Sequence, residues 1–337
     1  MTETLKILSS LGGISGNEDE VRDYILSRAL PFADEIKTDA MGNLMIFKKG
    51  RKAPSEKIMF AAHMDEVGFI VTSIIEDGYI RFGCVGGIDK RVLPGKKVLV
   101  GDKKIPGIIG MMPIHIAKKK KIEEIPEPDS MYIDAGFSSR DEAAEIIHPG
   151  DSIIFDSFQS ELQNGYFCTK AVDDRVGCAA MLKLIEDDLP VDVWFSFNVQ
   201  EEVGCRGSHT AAFVINPDIA IILEGTTATD IPDLPEEKNI CNAGNGIVIP
   251  FMDGGTIYDR ELSNYLRKIA DDNGISHQVK HRIAGGTDAS SIQRSNSGTK
   301  VAAISCAVRN IHTGASVAKL SEADDMLKLC RLYLESV

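Results

Sequence analysis

IMFAAHMDEVGF, residues 58–69, holds the junction on which the architecture of this chain turns. Its first five residues, IMFAA, are apolar without alternation, the pattern of a strand covered on both faces. His63 and Asp65 stand where that run stops, and from Val67 the text changes to VGFIVTSII, a β-type run of another kind. Three later stretches repeat the first half: VWFSFNV at 193–199, IAIIL at 219–223 and VAAISCAV at 301–308. Each is followed closely by a potential ligand, in turn Glu201-Glu202, Glu224 and, four residues on, His312. In open α/β sheets the functional crevice lies beyond the carboxyl ends of the strands, so these residues are expected to converge.

Working outward, helix and strand alternate on both sides of this frame. An opening helix carrying Leu5, Leu8 and Leu11 closes at Gly12-Gly13, and NEDEVRDYILSRAL follows with Val21, Ile25 and Leu26 on one face and acids at its start, where they complement the helix dipole. Between about residues 66 and 160 short β-type runs dominate: VGFIVTSII, YIRFGCV, KKVLVG, IPGIIG and SIIFD, punctuated by Gly, Pro and Asp. Alternation then resumes, from AVDDRVGCAAMLKLIEDD to SEADDMLKLCRLYLES, where Ser321 and Asp324 have capping-box spacing. The expected fold class is therefore α/β: a mixed sheet flanked by helices, formed by residues 1–65 and 162–337 and interrupted by a smaller, barrel-like β-rich domain at 66–161.

Composition narrows the partners. The 337 residues carry a net charge of −13 and no long basic stripe, which argues against nucleic acid or an anionic membrane as partner. The one basic run, Lys118 to Lys121, is expected to be a solvated loop whose field Glu123, Glu124, Glu127 and Asp129 cancel. Seven cysteines, an odd number without CxxC spacing, read as buried free thiols in a reducing compartment. There is no signal-peptide core and no apolar stretch long enough to span a bilayer, so a cytoplasmic protein is expected.

Singly, each candidate has an ordinary explanation. His63 alone would be a hydrogen-bonded core histidine; strand alternation, however, puts Asp65 on the same side, where it can orient the ring. Asp173-Asp174 opens a helix, and a dipole-stabilised N-terminus accounts well for Asp174, whereas Asp173, ahead of the helix proper, is free to offer its two oxygens to two cations. Glu201 and Glu202 repel one another unless a cation or a shared proton relieves them. Glu224, beside a buried run, needs a partner, either a basic side chain or a metal. Two imidazoles and three carboxylates without thiolates suit zinc, cobalt or manganese in a pair of ions sharing one bridge. The HExxH, GxSxG and helical ExxH signatures of other hydrolytic and di-iron sites are absent. A two-carboxylate glycoside hydrolase of glucanase type, with Glu201 and Glu224 flanking a sugar bond, is the rival enzyme, and it leaves both histidines unexplained.

SGNE at residue 15, AAHMDEVGF, KAVDDRVGC, VQEEVGCRGS, LEGT, GGTDAS at 285–290 and RNIHTG occur in an order and spacing that resemble the M42 metallo-aminopeptidases. These are the glutamyl and leucyl aminopeptidases of tetrahedral-assembly type, within the co-catalytic zinc peptidase clan. The resemblance spans nearly the whole chain. It implies one metal on His63, Asp173 and Glu224 and a second on Asp173, Glu202 and His312, with Glu201 as the base that activates a metal-bridging water and Asp65 as orienting partner. It further implies a cis Asp173-Asp174 peptide, short peptides with a free N-terminus as substrates, and homo-oligomers in which the β insertion dimerises and dimers build a dodecamer. Glu224 stands where many members of that family carry Asp.

Overall fold

The computed structural model describes residues 1–116 and 125–337, so the basic run at Lys118–Lys121 lies outside the described residues. Strands β1 (Glu35–Thr38), β2 (Leu44–Lys48) and β3 (Ile58–His63) lead into six barrel strands: β4 (Gly68–Ile74), β5 (Ile80–Val85), β6 (Lys97–Val100), β7 (Ile105–Gly110), β8 (Tyr132–Asp134) and β9 (Ser152–Phe155). The chain then returns through β10 (Ser160–Glu161), β11 (Tyr166–Thr169), β12 (Val193–Asn198), β13 (Ile219–Thr227), β14 (Ile247–Val248), β15 (His277–Gln278), β16 (Lys300–Arg309) and β17 (Ser316–Lys319). The large sheet runs β1-β2-β12-β3-β13-β16-β17-β11-β10, with β14 and β15 off its path, and β4-β5-β8-β7-β6-β9 closes into a barrel. The α/β class with an inserted barrel is what the sequence leads one to expect. The three-residue β8, in MYIDAG, was too short to leave a readable pattern.

The two units pack by different rules. In the four parallel strands β12, β3, β13 and β16 nearly every residue is buried, because helices cover both faces. Phe60 and Ala62 of β3 join a core beneath helices α1 (Thr2–Ser10), α2 (Asp19–Ala29), α4 (Val172–Glu186) and α8 (Leu320–Ser336), the label α3 being kept for the short helix Arg140–Ala144. Met59 and Ala61 turn the other way, against α5 (Arg206–Ile215) and α7 (Ala289–Ile292), with α6 (Arg260–Asp272) between these two in sequence. The barrel has one interior and alternates: Phe69 points in, edge-on to both Phe82 and Phe155 at 5.2 and 5.1 Å, while Ile70 points out. Each fully buried side chain of that size contributes about 1.5–3 kcal/mol through removal from water.

Several local expectations change in the folded chain. Ser321 is inside α8, which begins at Leu320 with no side-chain cap, so the capping-box spacing is not used. The neighbouring Glu322 is buried instead, and accepts bonds from the Gly244 and Gly246 amides at 2.7 and 3.0 Å. Cys84 is exposed and Cys205 half-exposed, so only five of the seven thiols are buried. Trp194 is half-buried against Phe47, 5.2 Å between centroids, with the Lys37 ammonium over its face. No helix among the described residues is long and apolar enough to cross a membrane.

Candidate metal centre

Parallel register builds the first half of the site. His63 is the last residue of β3 and pairs with Asn198 of β12; Ile222 of β13 pairs with Ala61, which brings Glu224, two residues on, level with His63. Glu224 is not at a strand end, since β13 continues to Thr227. A Cβ on Gly225 would sit 2.8 Å from Asp173 Cβ and 3.0 Å from its Cα, so only glycine lets the Asp173 loop approach. The Gly225 amide in turn donates to Asp173 Oδ1 at 3.2 Å. Asp173 and Asp174 have non-helical dihedrals at the start of α4, and the peptide between them is cis.

The predicted side chains meet in one pocket. His63 Nε2 lies 3.4 Å from Asp173 Oδ1 and 3.6 Å from Glu224 Oε2. His312 Nε2 lies 3.6 Å from Asp173 Oδ2 and 3.3 Å from Glu202 Oε2. Asp174, by contrast, turns its oxygens to the amides of His63 and Gly177, at 3.2 and 3.0 Å. Both imidazoles are held by the same device. The Nδ1 of His63 bonds the Asp65 carbonyl at 3.0 Å, and that of His312 bonds the Gly87 carbonyl, on the barrel side, at 2.9 Å. With each Nδ1–H donating to a carbonyl, each Nε2 is left as the atom that faces the carboxylates.

Asp65 works differently from the strand-alternation argument, because β3 ends at His63 and Asp65 lies beyond it. Its carboxylate is 3.4 Å from His63 Nδ1, longer than the backbone contact. The carboxylate instead accepts the amides of Glu201 and Glu202, at 3.0 and 3.1 Å, and the Ser15 hydroxyl at 2.6 Å. It thus fixes the loop carrying the glutamate pair to the strand carrying His63. Sequence reading assigned no role to Glu18, whose Oε1 accepts the Gly16 and Gln200 amides at 2.7 and 3.1 Å and so braces the same loop. It also missed a buried knot in which Glu66 meets Lys170 at 2.5 Å and Arg175 at 3.4 Å. Glu18 sits in the SGNE stretch, the signal that could have found it.

The electrostatics of this pocket are those of crowded, buried carboxylates beside two imidazoles. Burial pushes Glu224 well above the ordinary carboxylate range, with Asp174 and Asp173 adding to it. Burial likewise raises Glu201 to about 8 and Glu202 to about 7, with neighbouring carboxylates adding to the rise in both. For His63 burial opposes the charge, but Glu224, Asp173 and Asp65 together outweigh it and hold the ring well above its usual pKa. His312, for which burial also opposes the charge, is raised to about 9 by Asp173 and Glu202. Buried carboxylates this close together hold their protons more tightly than exposed ones.

The donor set fits divalent metal on geometric grounds as well. The four imidazole–carboxylate separations of 3.3–3.6 Å exceed the about 2.7–2.9 Å of a charged hydrogen bond. They match the roughly 3.3–3.5 Å between ligands that share a tetrahedral ion at about 2.0–2.2 Å. Glu224 Oε1 is buried and has no hydrogen-bond partner among the described residues. Left-handed backbone at Ala171, Gln200, Cys205 and His312, all non-glycine, surrounds the pocket and marks it as a place where ordinary conformational preference has been overridden.

Known proteins share both the fold and the chain's length. The sequence model described as M42 glutamyl aminopeptidase matches residues 42–329. The glutamyl aminopeptidase of Lactococcus lactis is 32% identical over 336 residues, spanning 97% of this chain and 92% of its own. Among solved structures, the TET aminopeptidase of a marine-sediment Thaumarchaeota archaeon superposes with a TM-score of 0.95 at 33% identity, covering 100% of this chain and 96% of that one. The TET1 peptidase of Pyrococcus horikoshii, described as able to assemble into a tetrahedron or a large octahedral shell, gives 0.87 at 33% identity, with coverage of 99% and 98%. Fold and whole-length similarity agree: this chain belongs to the M42 family and is an aminopeptidase.

Proposed function

We propose that this aminopeptidase works with two divalent cations, one held by His63, Asp173 and Glu224 and the other by Asp173, Glu202 and His312. The observation that carries this reading is the stance of Asp173, which turns Oδ1 toward one imidazole Nε2 and Oδ2 toward the other. Asp174 is a poorer bridge, because both its oxygens are engaged by backbone amides. An oxygen and imidazole donor set without thiolate suits zinc, cobalt or manganese. When bound, such a pair acidifies a water molecule and polarises the scissile carbonyl.

The protein's own groups then handle the proton and the substrate. Glu201, beside Glu202 but outside the two ligand sets, takes the proton of the attacking water and returns it to the leaving amine as the C–N bond breaks. Asp65 positions this base by holding the Glu201 amide, and holds the His63 ring through its carbonyl. A free α-amine supplies a neutral donor to the cation pair, which restricts cleavage to the N-terminal residue of short peptides. The inserted segment 66–161 serves in dimerisation, and dimers build a larger homo-oligomer such as a dodecamer. Exposed Ile108, Met111, Met112, Ile114 and Ile116 on this unit support a covered face. The cell's reducing cytoplasm suits seven thiols that are all free.

The test pairs metal removal with N-terminal blocking. Chelation is expected to abolish cleavage of free short peptides, and zinc, cobalt or manganese to restore it, while N-acetylated peptides stay intact. Equal turnover of blocked and free peptides would overturn the reading. Glycoside hydrolysis by Glu201 and Glu224 leaves His63 and His312 without a task, and only glucan cleavage that survives chelation would favour it.

A further inference from the structure

One cluster beside the centre takes no part in either ligand set. Cys205 opens α5 in a left-handed conformation, φ 51°, and its thiol donates to Glu201 Oε1 at 3.2 Å. Asp288, fully buried in the GGTDAS turn, brings a carboxylate oxygen within 4.8 Å of ligand atoms of both residues. Its Oδ2 accepts from Asn198 Nδ2 at 2.8 Å, but its Oδ1 has no partner among the described residues. The nearby Ser208 hydroxyl donates to the Cys205 carbonyl at 3.1 Å and also lies within reach of the Asp288 carboxylate. A buried carboxylate oxygen without a hydrogen-bond partner, in a cluster of like charge, is costly unless a proton or a cation satisfies it.

We propose that Glu201, Cys205 and Asp288 form a third cation site, selective for a thiophilic divalent ion such as zinc in excess or cadmium, whose occupation removes Glu201 from catalysis. Three donors, one sulfur and two oxygens, leave a fourth position open, as in tetrahedral sites with Zn–S of about 2.3 Å and Zn–O of about 2.0–2.2 Å. The sulfur sets this site apart from the two oxygen and imidazole sets, because thiolate selects softer ions. Binding breaks the Cys205 S–H bond, releases its proton to solvent and leaves the sulfur pair on the ion, with no change of oxidation state. Cys205 also lines a surface cavity of about 480 Å³ together with Met41, Arg206, His209 and Arg294, whereas Glu201 and Asp288 do not line it. The inhibitory half of the proposal rests on Glu201 being the proton carrier; the site itself does not.

The experiment titrates cadmium into the full-length enzyme carrying manganese, following thiolate-to-cadmium charge-transfer absorption, ions bound per chain and initial rate together. The wild type is expected to gain the absorption band and one ion more than Cys205→Ala, with its rate falling in step with the band. Cys205→Ser, which keeps a donor to Glu201 without the soft ligand, is expected to lose the band as well. Asp288→Asn is expected to weaken it by at least about tenfold in cadmium concentration. No band in the wild type, or a band of equal strength in Cys205→Ala, would overturn the site. A band and extra ion without loss of rate would uphold the site and overturn Glu201 as the base.

Discussion

The pocket's two imidazoles reach Asp173 from regions built on different principles. His63 closes a strand in which every residue is buried, its ring 1% exposed, and its place follows from parallel pairing of β3 with β12 and β13. His312 follows β16 by three residues on a loop, at φ 58°, with 32% of its side chain exposed, and its ring is steadied by the Gly87 carbonyl next to the barrel strand β5. One half of the centre is thus set by the sheet alone. The other half requires the inserted barrel to be docked. A sheet-built half and a barrel-dependent half can share one carboxylate, Asp173, and still respond separately to change.

The largest effect should come from the residue that belongs to both halves. Asp173→Ala is expected to reduce the metal content of both positions together and to take activity to background; wild-type metal content by elemental analysis would dissolve the idea of a shared bridge. Next comes the base. Glu201→Gln should keep both metals and lose at least about a hundredfold in kcat, the lower end of general-base contributions. Full activity in that variant would remove Glu201 from the chemistry.

A third change separates the halves. Gly86 has φ +83°, and a Cβ there would meet Val67 Cγ1 at 2.8 Å and Glu202 Cβ at 3.3 Å. Gly86→Ala should therefore weaken metal at the His312 side by about 10–100-fold, as loss of ligand support typically does, and spare the His63 side. Calorimetric refilling of the metal-free protein would read two distinct steps, of which only one shifts. Equal shifts in both would mean the halves are not independent.

The smallest test probes the brace behind the glutamate loop. Burial and then Asp65 raise Glu18 from 4.5 to about 7, against the pull of backbone amides that include those of Gly16 and Gln200. The folded state thus holds this proton more tightly than the unfolded chain does. Its stabilising contribution is complete below the unfolded pKa and is lost as pH rises through about 7. Glu18→Gln keeps an acceptor for both amides and removes the titration. The metal-free variant should lose less thermal stability than the wild type between about pH 5 and pH 8, by a few degrees. Parallel melting curves across that range would refute the role.

Legibility in the sequence divides along the same line as the two halves. Apolar runs without alternation reveal doubly covered strands, since no solvent face forces polar residues into them, and so IMFAA, VWFSFNV, IAIIL and VAAISCAV announced the sheet and the ligands behind it. Short β-type runs punctuated by Gly, Pro and Asp announced the β-rich insertion. Glu18, Glu66 and Glu322 were not legible, because a buried carboxylate looks like any surface acid until its amide or ammonium partners, distant in sequence, are brought to it. Asp65 was found for an incomplete reason: its main partners are the amides of Glu201 and Glu202, far along the chain.

By itself, then, the sequence determined the fold class, the family likeness and the set of residues able to meet, because periodicity and residue chemistry are local properties of a chain. Tertiary structure alone decided that Asp173 faces both histidines, that Asp174 is spent on backbone amides, that a barrel-side carbonyl holds His312, and that Cys205 and Asp288 gather around Glu201. Those are distances of a few ångströms between atoms many residues apart, and nothing short of the packed sheet, helices and barrel fixes them.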